Sequence, residues 1–208
     1  VTTYRIDGEY EDSRHPKEVV FTGELREDLR RRDFTINAMA YNDREGLVDA
    51  FGGIRDLEQG IIRCVGDPYE RFTEDALRIL RAVRFAAQLG FSIEERTKKA
   101  AQELAPTLAK ISAERIATEL TKLLVSKNPH LLKTAWEAGI TKVVLPEFDA
   151  MMETPQNTPH HCLSVGEHTL KSLEYVEADK ILRFTMLLHD TGKPASRTTD
   201  ENGRDHFK

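Results

Sequence analysis

The segment from Thr73 to Leu89 is the part of this sequence that most constrains the fold. Its apolar residues recur at the spacing of one helix face, and they are Ala76, Leu77, Leu80, Val83 and Ala87. Thr73 is suited to cap the helix, and Glu74 and Asp75 would lie in its first turn, where the helix dipole favours negative charge. The pattern predicts one amphipathic helix that carries Asp75 and Arg78 three residues apart on one face.

Asp75 and Arg78 form a complementary pair, because a carboxylate only accepts hydrogen bonds and a guanidinium only donates them. A base edge with an exocyclic amino group beside an unprotonated ring nitrogen matches such a pair. Cytosine and adenine present that edge, whereas uracil and guanine carry an N–H at the ring position. The pair is therefore suited to selecting C and A together without a nucleic-acid template. The alternative is a solvated ion pair, which would stabilise a helix by only about 0.2–0.5 kcal/mol.

Two groups of charged residues suggest a site for an anion. They are Arg78, Arg81 and Arg84 on the predicted helix, and Arg31, Arg32 and Asp33 upstream of it. A triphosphate needs several convergent donors, and arginine is well suited to supply them. The apolar segment that begins at Phe34 places the upstream group at the boundary of a core. Ordinary surface charge is the alternative for both groups.

Composition sets wider bounds. With 39% hydrophobic and 31% charged residues among 208, the chain is typical of a soluble globular protein, and its net charge of −5 leaves nucleic-acid binding to a local patch. Candidates for such a patch are Lys98, Lys99, Lys110, Arg115, Lys122 and Lys127. Cys64 and Cys162 form neither a metal-ligand motif nor a disulfide framework, and no apolar run is long enough to span a membrane. We expect a cytoplasmic protein.

Four segments resemble motifs of the class II tRNA nucleotidyltransferases, the family of CCA-adding enzymes and bacterial poly(A) polymerases. They are Arg31 to Ala38, Asp49 to Leu57, Glu74 to Arg78, and Ile111 to Ile116, in the family's order. The first resembles the ribose and triphosphate motif, and the second the element that couples head to neck. The third resembles the nucleotide-selecting motif, and the fourth the start of a late neck motif. The resemblance covers roughly residues 1 to 150.

This resemblance implies template-independent addition of CCA to the 3′ end of tRNA from CTP and ATP. It implies that Asp75 and Arg78 read the base, that Asp33 binds the ribose, and that Arg32, Arg81 and Arg84 bind phosphate. The loop from Asp7 to Pro16 resembles one that assists the switch from CTP to ATP. Poly(A) polymerases and A-adding enzymes share the base-reading residues, so these activities are the alternative.

The family's catalytic Mg²⁺ site uses a Gly-Gly-x-x-Arg-Asp loop followed by Asp-x-Asp. Gly52 to Asp56 imitates that loop, but it follows the Arg31–Ala38 motif and no Asp-x-Asp comes after it. We therefore expect the metal carboxylates to lie upstream of Val1, so that the chain by itself would be inactive in nucleotidyl transfer.

A second group of candidate functional residues begins near Thr158. His160, His161 and His168 are followed by His189 and Asp190, which resembles the HD superfamily of metal-dependent phosphohydrolases. The resemblance implies a divalent metal site of His168, His189 and Asp190, with His161 as the alternative to His168. Imidazole ligands favour Mn²⁺, Co²⁺ or Ni²⁺ over Mg²⁺. We expect binding only when a further ligand is supplied from beyond Lys208, and an HD-type phosphohydrolase is the competing function.

The fold class predicted for the chain is α+β. Residues 1–60 are expected to be the C-terminal part of a nucleotidyltransferase β-sheet head, and residues 61–125 a neck with the nucleotide-selecting helix. Residues 126–157 are expected to form body or linker helices, and residues 158–208 the start of a helical HD domain.

Overall fold

The computed structural model describes residues 4–7, 19–156 and 163–207. Within these ranges, two of the four small β-sheets lie at the N-terminal side and helices dominate the remainder, so the predicted α+β class is confirmed. The loop predicted from Asp7 to Pro16 has only Asp7 inside these ranges, and His160 and His161 lie outside them.

The N-terminal part consists of two antiparallel strand pairs and two short helices. Strands β1 (Arg5–Asp7) and β2 (Val19–Phe21) form the first pair, and β3 (Met39–Asn42) and β4 (Gly46–Asp49) form the second. Helix α1 (Leu25–Arg30) and a 3-10 turn (Thr35–Asn37) lie between the pairs, and helix α2 (Gly53–Gln59) follows them.

Helix α2 begins where the sequence supplies both a cap and room for a close approach. The Asp49 carboxylate accepts hydrogen bonds from the backbone N–H groups of Gly53 (2.8 Å) and Ile54 (2.9 Å). A Cβ at position 53 would come within 2.3 Å of the Thr35 carbonyl oxygen, so only glycine fits there. The fully buried Asp56 accepts from the Thr35 hydroxyl at 2.7 Å and thereby joins α2 to the 3-10 turn.

Residues 61–125, which the sequence predicts to be the neck, contain four α-helices and a short parallel sheet. Strands β5 (Ile61–Ile62) and β6 (Ser92–Ile93) pair in parallel. Helices α3 (Pro68–Glu74) and α4 (Leu77–Leu89) lie between them, and α5 (Glu95–Leu104) and α6 (Ala113–Leu124) follow. The apolar spacing from Ile111 to Val125 predicts a helix with Ser112 as its cap; α6 does begin directly after Ser112, although the Ser112 side chain makes no capping hydrogen bond.

The single helix predicted from Thr73 to Leu89 is wrong, because the chain leaves the helical conformation at Asp75 (φ −143°, ψ 102°). Asp67 caps α3 by accepting from the Tyr69 N–H at 2.8 Å, so Thr73 lies in the last turn of α3 and is not a cap. The Asp75 carboxylate accepts from the Leu77 N–H at 3.1 Å and begins α4. A carboxylate that can bond to nearby backbone N–H groups favours a helix boundary over a helix interior.

The C-terminal part continues with short helices and ends in a hairpin. These are α7 (Leu132–Glu137), α8 (Thr141–Val144), α9 (Pro146–Glu153), α10 (Val165–Tyr175), α11 (Lys180–Leu188) and α12 (Lys193–Ser196), followed by antiparallel strands β7 (Arg197–Thr199) and β8 (Asp205–Phe207). The apolar run from Leu182 to Leu188 predicts a helix that places His189 and Asp190 at its C-terminal end, and α11 ends directly before His189.

One apolar core extends from Phe34 in the N-terminal part, through α4 and α6, to Leu173 on α10 and Leu187 on α11. The core therefore continues across the boundaries predicted near residues 125 and 157, and those boundaries stay a prediction. Within the described ranges, no helix is long and apolar enough to cross a membrane.

Helices α4 and α6 are joined inside this core by an ion pair between Arg84 and Glu119. The Arg84 Nε donates to a Glu119 carboxylate oxygen at 2.8 Å, and both residues are buried, with exposures of 6% and 3%. Burial alone would raise the pKa of Glu119, but the hydrogen bond and charge of Arg84 outweigh burial and lower that pKa below its ordinary value.

We expect Glu119→Gln to lower the free energy of unfolding by about 3 kcal/mol or more, because it leaves a buried guanidinium without its counterion. Since the folded-state pKa of Glu119 is lowered, its contribution is present above the unfolded value of 4.5 and is lost as the pH falls through the folded-state value. Urea unfolding at pH 7 and at pH 4 measures both effects.

Glu114→Gln is the matched control, because Glu114 is exposed on the same helix. It should leave the stability at pH 7 nearly unchanged. Equal stability of the two variants would show that the Arg84–Glu119 pair contributes nothing to the packing of α4 on α6.

Candidate functional site

A cleft of about 420 Å³ lies where α1, α4 and α6 meet. It is lined by Arg31, Arg32, Asp33, Asn37, Asp75, Leu77, Arg78, Arg81 and Arg115. Five arginines against two aspartates make the cleft strongly positive, although the whole chain carries a net charge of −5. The structure thus brings five of the six predicted nucleotide-binding residues into one concave site suited to an anionic ligand.

Asp75 is held in place at the break between α3 and α4. One carboxylate oxygen accepts from the Leu77 N–H at 3.1 Å, and the other accepts from the Arg115 Nη2 at 2.8 Å. Each carboxylate oxygen can accept a second hydrogen bond, so these contacts orient Asp75 and leave it able to bind a ligand amino group.

Arg78 is equally constrained. Its Nη1 donates to Glu74 at 2.6 Å and to the Arg71 carbonyl oxygen at 3.1 Å, and its Nη2 donates to the Arg31 carbonyl oxygen at 3.0 Å. Glu74 also pairs with the Arg71 side chain. A guanidinium has five N–H donors, so two remain for a ligand. The plane of Arg78 is thus fixed before any ligand binds.

Asp33 and Arg81 form an ion pair among the cleft residues. The Arg81 Nε (2.8 Å) and Nη2 (2.5 Å) both donate to one Asp33 carboxylate oxygen, and the other oxygen accepts from the Phe34 N–H at 2.9 Å and the Asn37 side-chain amide at 3.1 Å. Burial alone would raise the pKa of Asp33, but the charge and hydrogen bonds of Arg81 outweigh it and lower the pKa below its ordinary value. Asp33 is therefore a charged acceptor at neutral pH.

Arg31 and Arg32 reach the cleft from the end of α1, and both contact the buried Asp28. Arg31 donates to one Asp28 oxygen from Nε (3.1 Å) and Nη2 (2.6 Å), and Arg32 donates to the other oxygen from Nη2 at 3.3 Å. Burial would raise the pKa of Asp28, but the hydrogen bonds and charge of these arginines lower it overall.

Arg84 is the predicted nucleotide-binding residue that the structure does not bring to the cleft. Its Nε is bound to Glu119, its Nη1 donates to the Gln88 side chain at 2.8 Å, and its guanidinium lies over the Phe85 ring at 3.4 Å. The repeat of three residues from Arg78 to Arg84 advances by less than a full turn at each step, so the third arginine rotates off the face of the first. Arg84 faces α6 instead.

Arg115 and Asn37 are cleft residues that the sequence interpretation did not assign to the nucleotide site. Arg115 was placed among basic residues for RNA, yet it binds Asp75 from helix α6, 40 residues away along the chain. The resemblance of Ile111–Ile116 to a family motif was the available signal. Lys99, Lys110 and Lys127 are exposed, and the exposed Lys122 donates to Glu119 at 3.1 Å.

A second group of polar residues lies on α10 and at the end of α11. His168, His189 and Asp190 place one potential ligand atom each within 4.8 Å of one another, and the two imidazole rings are 5.8 Å apart. His189 Nδ1 lies 2.7 Å from the Met186 carbonyl oxygen, which suits Nδ1–H donation and leaves Nε2 as the ligand atom. This donor set of two imidazoles and a carboxylate fits a divalent transition metal.

Lys193 contacts the same carboxylate. Its Nζ donates to Asp190 at 2.7 Å and to the Gln156 side-chain oxygen at 3.1 Å. Asp190 therefore already has a cation beside it. Among the residues that the structure describes, no comparable group of metal ligands lies in the arginine-rich cleft. The cleft's carboxylates, Asp33 and Asp75, are paired with arginines.

Two protein-family models match the chain. One, described as the poly A polymerase head domain, matches residues 1–63, and the other, described as a probable RNA and SrmB-binding site of polymerase A, matches residues 90–152. The arginine-rich cleft takes residues from both matched regions and from the segment between them.

Two similar proteins are both named as CCA-adding enzymes. The CCA-adding enzyme of Anoxybacillus flavithermus is 42% identical over 189 residues, which is 91% of this chain and 45% of that protein. That of Leuconostoc mesenteroides is 54% identical over 128 residues, 62% of this chain and 32% of the relative. The chain thus spans between about a third and a half of these relatives' length.

Solved structures agree with the sequence comparison. A Bacillus stearothermophilus CCA-adding enzyme in complex with CTP matches with a TM-score of 0.72 and 32% identity, over 93% of this chain and 45% of the other. A Thermotoga maritima CCA-adding enzyme complexed with tRNA matches with a TM-score of 0.62 and 30% identity, over 86% and 42%.

The shared motifs, the matched head and RNA-binding regions, and the fold together show that the chain belongs to the nucleotidyltransferase family of CCA-adding enzymes and poly(A) polymerases.

Proposed function

We propose that the chain is the nucleotide-selecting part of a template-independent tRNA nucleotidyltransferase that adds CCA from CTP and ATP in the cytoplasm. The observation that carries this proposal is the convergence of Asp75 and Arg78 in one positive cleft, each held by partners of its own. Relatives named as CCA-adding enzymes, with structures solved in complex with CTP and with tRNA, support the choice of substrates.

In the proposed site, the Asp75 carboxylate accepts from the exocyclic amino group of cytosine or adenine. Arg78 donates one of its two remaining N–H groups to the ring nitrogen beside it. Uracil and guanine would present an N–H to the Arg78 donors and leave both groups unsatisfied, which is costly in a confined site. Because Arg115 and Glu74 fix the two side chains, rejection does not require a template strand.

The remaining residues bind the sugar and the phosphates. Asp33 accepts from a ribose hydroxyl in exchange for one of the four hydrogen bonds that it accepts within the chain, and Arg32 and Arg81 donate to the triphosphate. Addition then consists of attack by the RNA 3′-hydroxyl on the α-phosphorus, with pyrophosphate as the leaving group. Mg²⁺ would supply charge stabilisation for that step. The cleft residues in the described ranges do not offer the carboxylates for it, so this part of the chain is assigned selection and binding alone.

Poly(A) synthesis and A-addition use the same two reading groups, and they are the alternatives for the same cleft. A separate candidate, an HD-type phosphohydrolase, is favoured by the proximity of His168, His189 and Asp190. These residues would hold Mn²⁺, Co²⁺ or Ni²⁺, and a bound ion would lower the pKa of a water molecule for attack on a phosphate ester. In the chain itself, His189 is oriented by the Met186 carbonyl and Asp190 by Lys193.

Base selection is tested with Asp75→Ala. We expect the wild-type chain to bind CTP and ATP more tightly than UTP and GTP, and the variant to lose about 1–3 kcal/mol of that discrimination, because the acceptor for the amino group is gone. Calorimetric titration with the four triphosphates measures it. Glu70→Ala, at an exposed position on α3, is the control. Unchanged discrimination in Asp75→Ala would refute the base-reading role.

Phosphate binding is tested with Arg81→Ala. We expect the affinities for CTP and ATP to fall by about the same factor, roughly tenfold or more, because phosphate contacts carry no base information. Arg96→Ala is matched to it, since Arg96 also pairs with an aspartate, Asp67, but on the exposed surface of the neck. An unequal loss between CTP and ATP would assign Arg81 to base recognition.

The metal site is tested by titrating the chain with Mn²⁺ or Ni²⁺. We expect one equivalent to bind only when a further ligand from beyond Lys208 is supplied, and His189→Ala to abolish that binding, because only two of the three ligands described here would remain. His206→Ala is the control, since His206 is a half-exposed histidine paired with Asp200 in the C-terminal hairpin. Equal metal binding by both variants would place the ion elsewhere.

A further inference from the structure

Asp28 is a buried carboxylate for which base, ribose and phosphate binding have so far required no role. It lies on α1 with 3% of its surface exposed and is not among the residues that line the cleft. Both of its oxygens are nevertheless engaged by residues that do line it. One accepts from Arg31 and from the Arg5 backbone N–H (3.3 Å), and the other accepts from Arg32.

The position of Asp28 explains how two neighbouring arginines face the same way. Arginine side chains are long and lose considerable rotamer freedom when they are held in place. Two adjacent guanidinium groups also repel each other, and a carboxylate behind them offsets that repulsion. Arg32 in particular is half-exposed, at 43% of its side chain, and its only ion pair is the one to Asp28 among the pairs found in the described part of the chain.

We propose that Asp28 is a positioning residue for the triphosphate: it binds Arg31 and Arg32 and thereby orients their guanidinium groups at the cleft, where they bind the phosphates. This inference rests on the proposed nucleotide-binding function. It adds a residue that lies outside the Arg31–Ala38 motif. Asp28 precedes Arg31 by three positions and Arg32 by four, which is the spacing that brings side chains together over one helical turn.

A carboxylate near a triphosphate also has a second effect, which changes the affinity for CTP in the opposite direction. Asp28 cancels one of the two positive charges that Arg31 and Arg32 bring, so its removal makes the cleft more positive. If charge alone mattered, Asp28→Asn would bind CTP more tightly. If positioning matters more, Asp28→Asn would bind CTP more weakly despite the added positive charge. The direction of the change therefore separates the two effects.

The experiment compares CTP with cytidine, which shares the base and ribose but lacks phosphate. Calorimetric titration of the 208-residue chain gives the ratio of the two affinities. We expect Asp28→Asn to lower this ratio about tenfold, as for the loss of a well-oriented hydrogen bond to a charged group, and to leave cytidine affinity nearly unchanged. A merely structural role would weaken both ligands together.

Asp56→Asn is the matched control. Asp56 is also a buried aspartate bound to an arginine, Arg63 at 3.0 Å, but it lies away from the cleft. It should leave the ratio of affinities unchanged even if the variant is less stable. Thermal unfolding of both variants shows whether each is folded at the temperature of the titration.

Arg32→Met provides a second test, because it removes one of the two arginines that Asp28 holds. In that background Asp28→Asn should have a smaller effect on the ratio, because one of its two targets is already absent. A full, additive effect, an unchanged ratio, or tighter CTP binding in Asp28→Asn would overturn the positioning role. A wild-type chain that binds CTP no better than cytidine would instead overturn the proposed triphosphate site itself.

Discussion

The ion pair between Asp75 and Arg115 joins the break between α3 and α4 to helix α6, and the geometry of the cleft depends on it. Asp75 ends one helix, begins the next and receives Arg115 on its other oxygen. These contacts place a carboxylate acceptor at the start of α4. There Arg78 is held by hydrogen bonds to Glu74 and to two backbone carbonyl oxygens. An acceptor and a donor that are fixed before a ligand arrives discriminate between bases more sharply than mobile ones, because less ordering is required on binding.

The cleft is built on a common arrangement in which each carboxylate is held by arginine. Asp28 binds Arg31 and Arg32, Asp33 binds Arg81, and Asp75 binds Arg115. The arginines lower the pKa values of Asp28 and Asp33 despite the burial of these carboxylates, and the pairing orients the arginines. Five arginines would otherwise repel one another. The result is a locally positive site in a chain whose net charge is negative. Such a site suits an anionic ligand such as a nucleoside triphosphate.

The helices that position the HD-like residues pack into the same apolar core as α4 and α6, through Leu173 and Leu187. Arg183 on α11 is buried and donates to the Leu124 carbonyl oxygen at the end of α6 at 3.1 Å. The helix that ends at His189 is therefore anchored to the helix that carries Arg115. The two candidate sites are therefore both connected to helix α6, although one is suited to a nucleotide and the other to a metal ion.

Much of this protein follows from local sequence. The α+β class, the start of α6 after Ser112, the apolar helix that ends before His189, and most of the cleft residues were predicted from periodicity and motifs, because these depend on spacing along the chain. Tertiary structure decided the rest. The helix break at Asp75 arises because Asp67 and Asp75 cap two separate helices, and Arg84 leaves the cleft because Glu119 on α6 offers a buried counterion. The pairing of Asp75 with Arg115 joins residues 40 positions apart. Spacing along one helix cannot predict such partners, since they are brought together only when the helices pack.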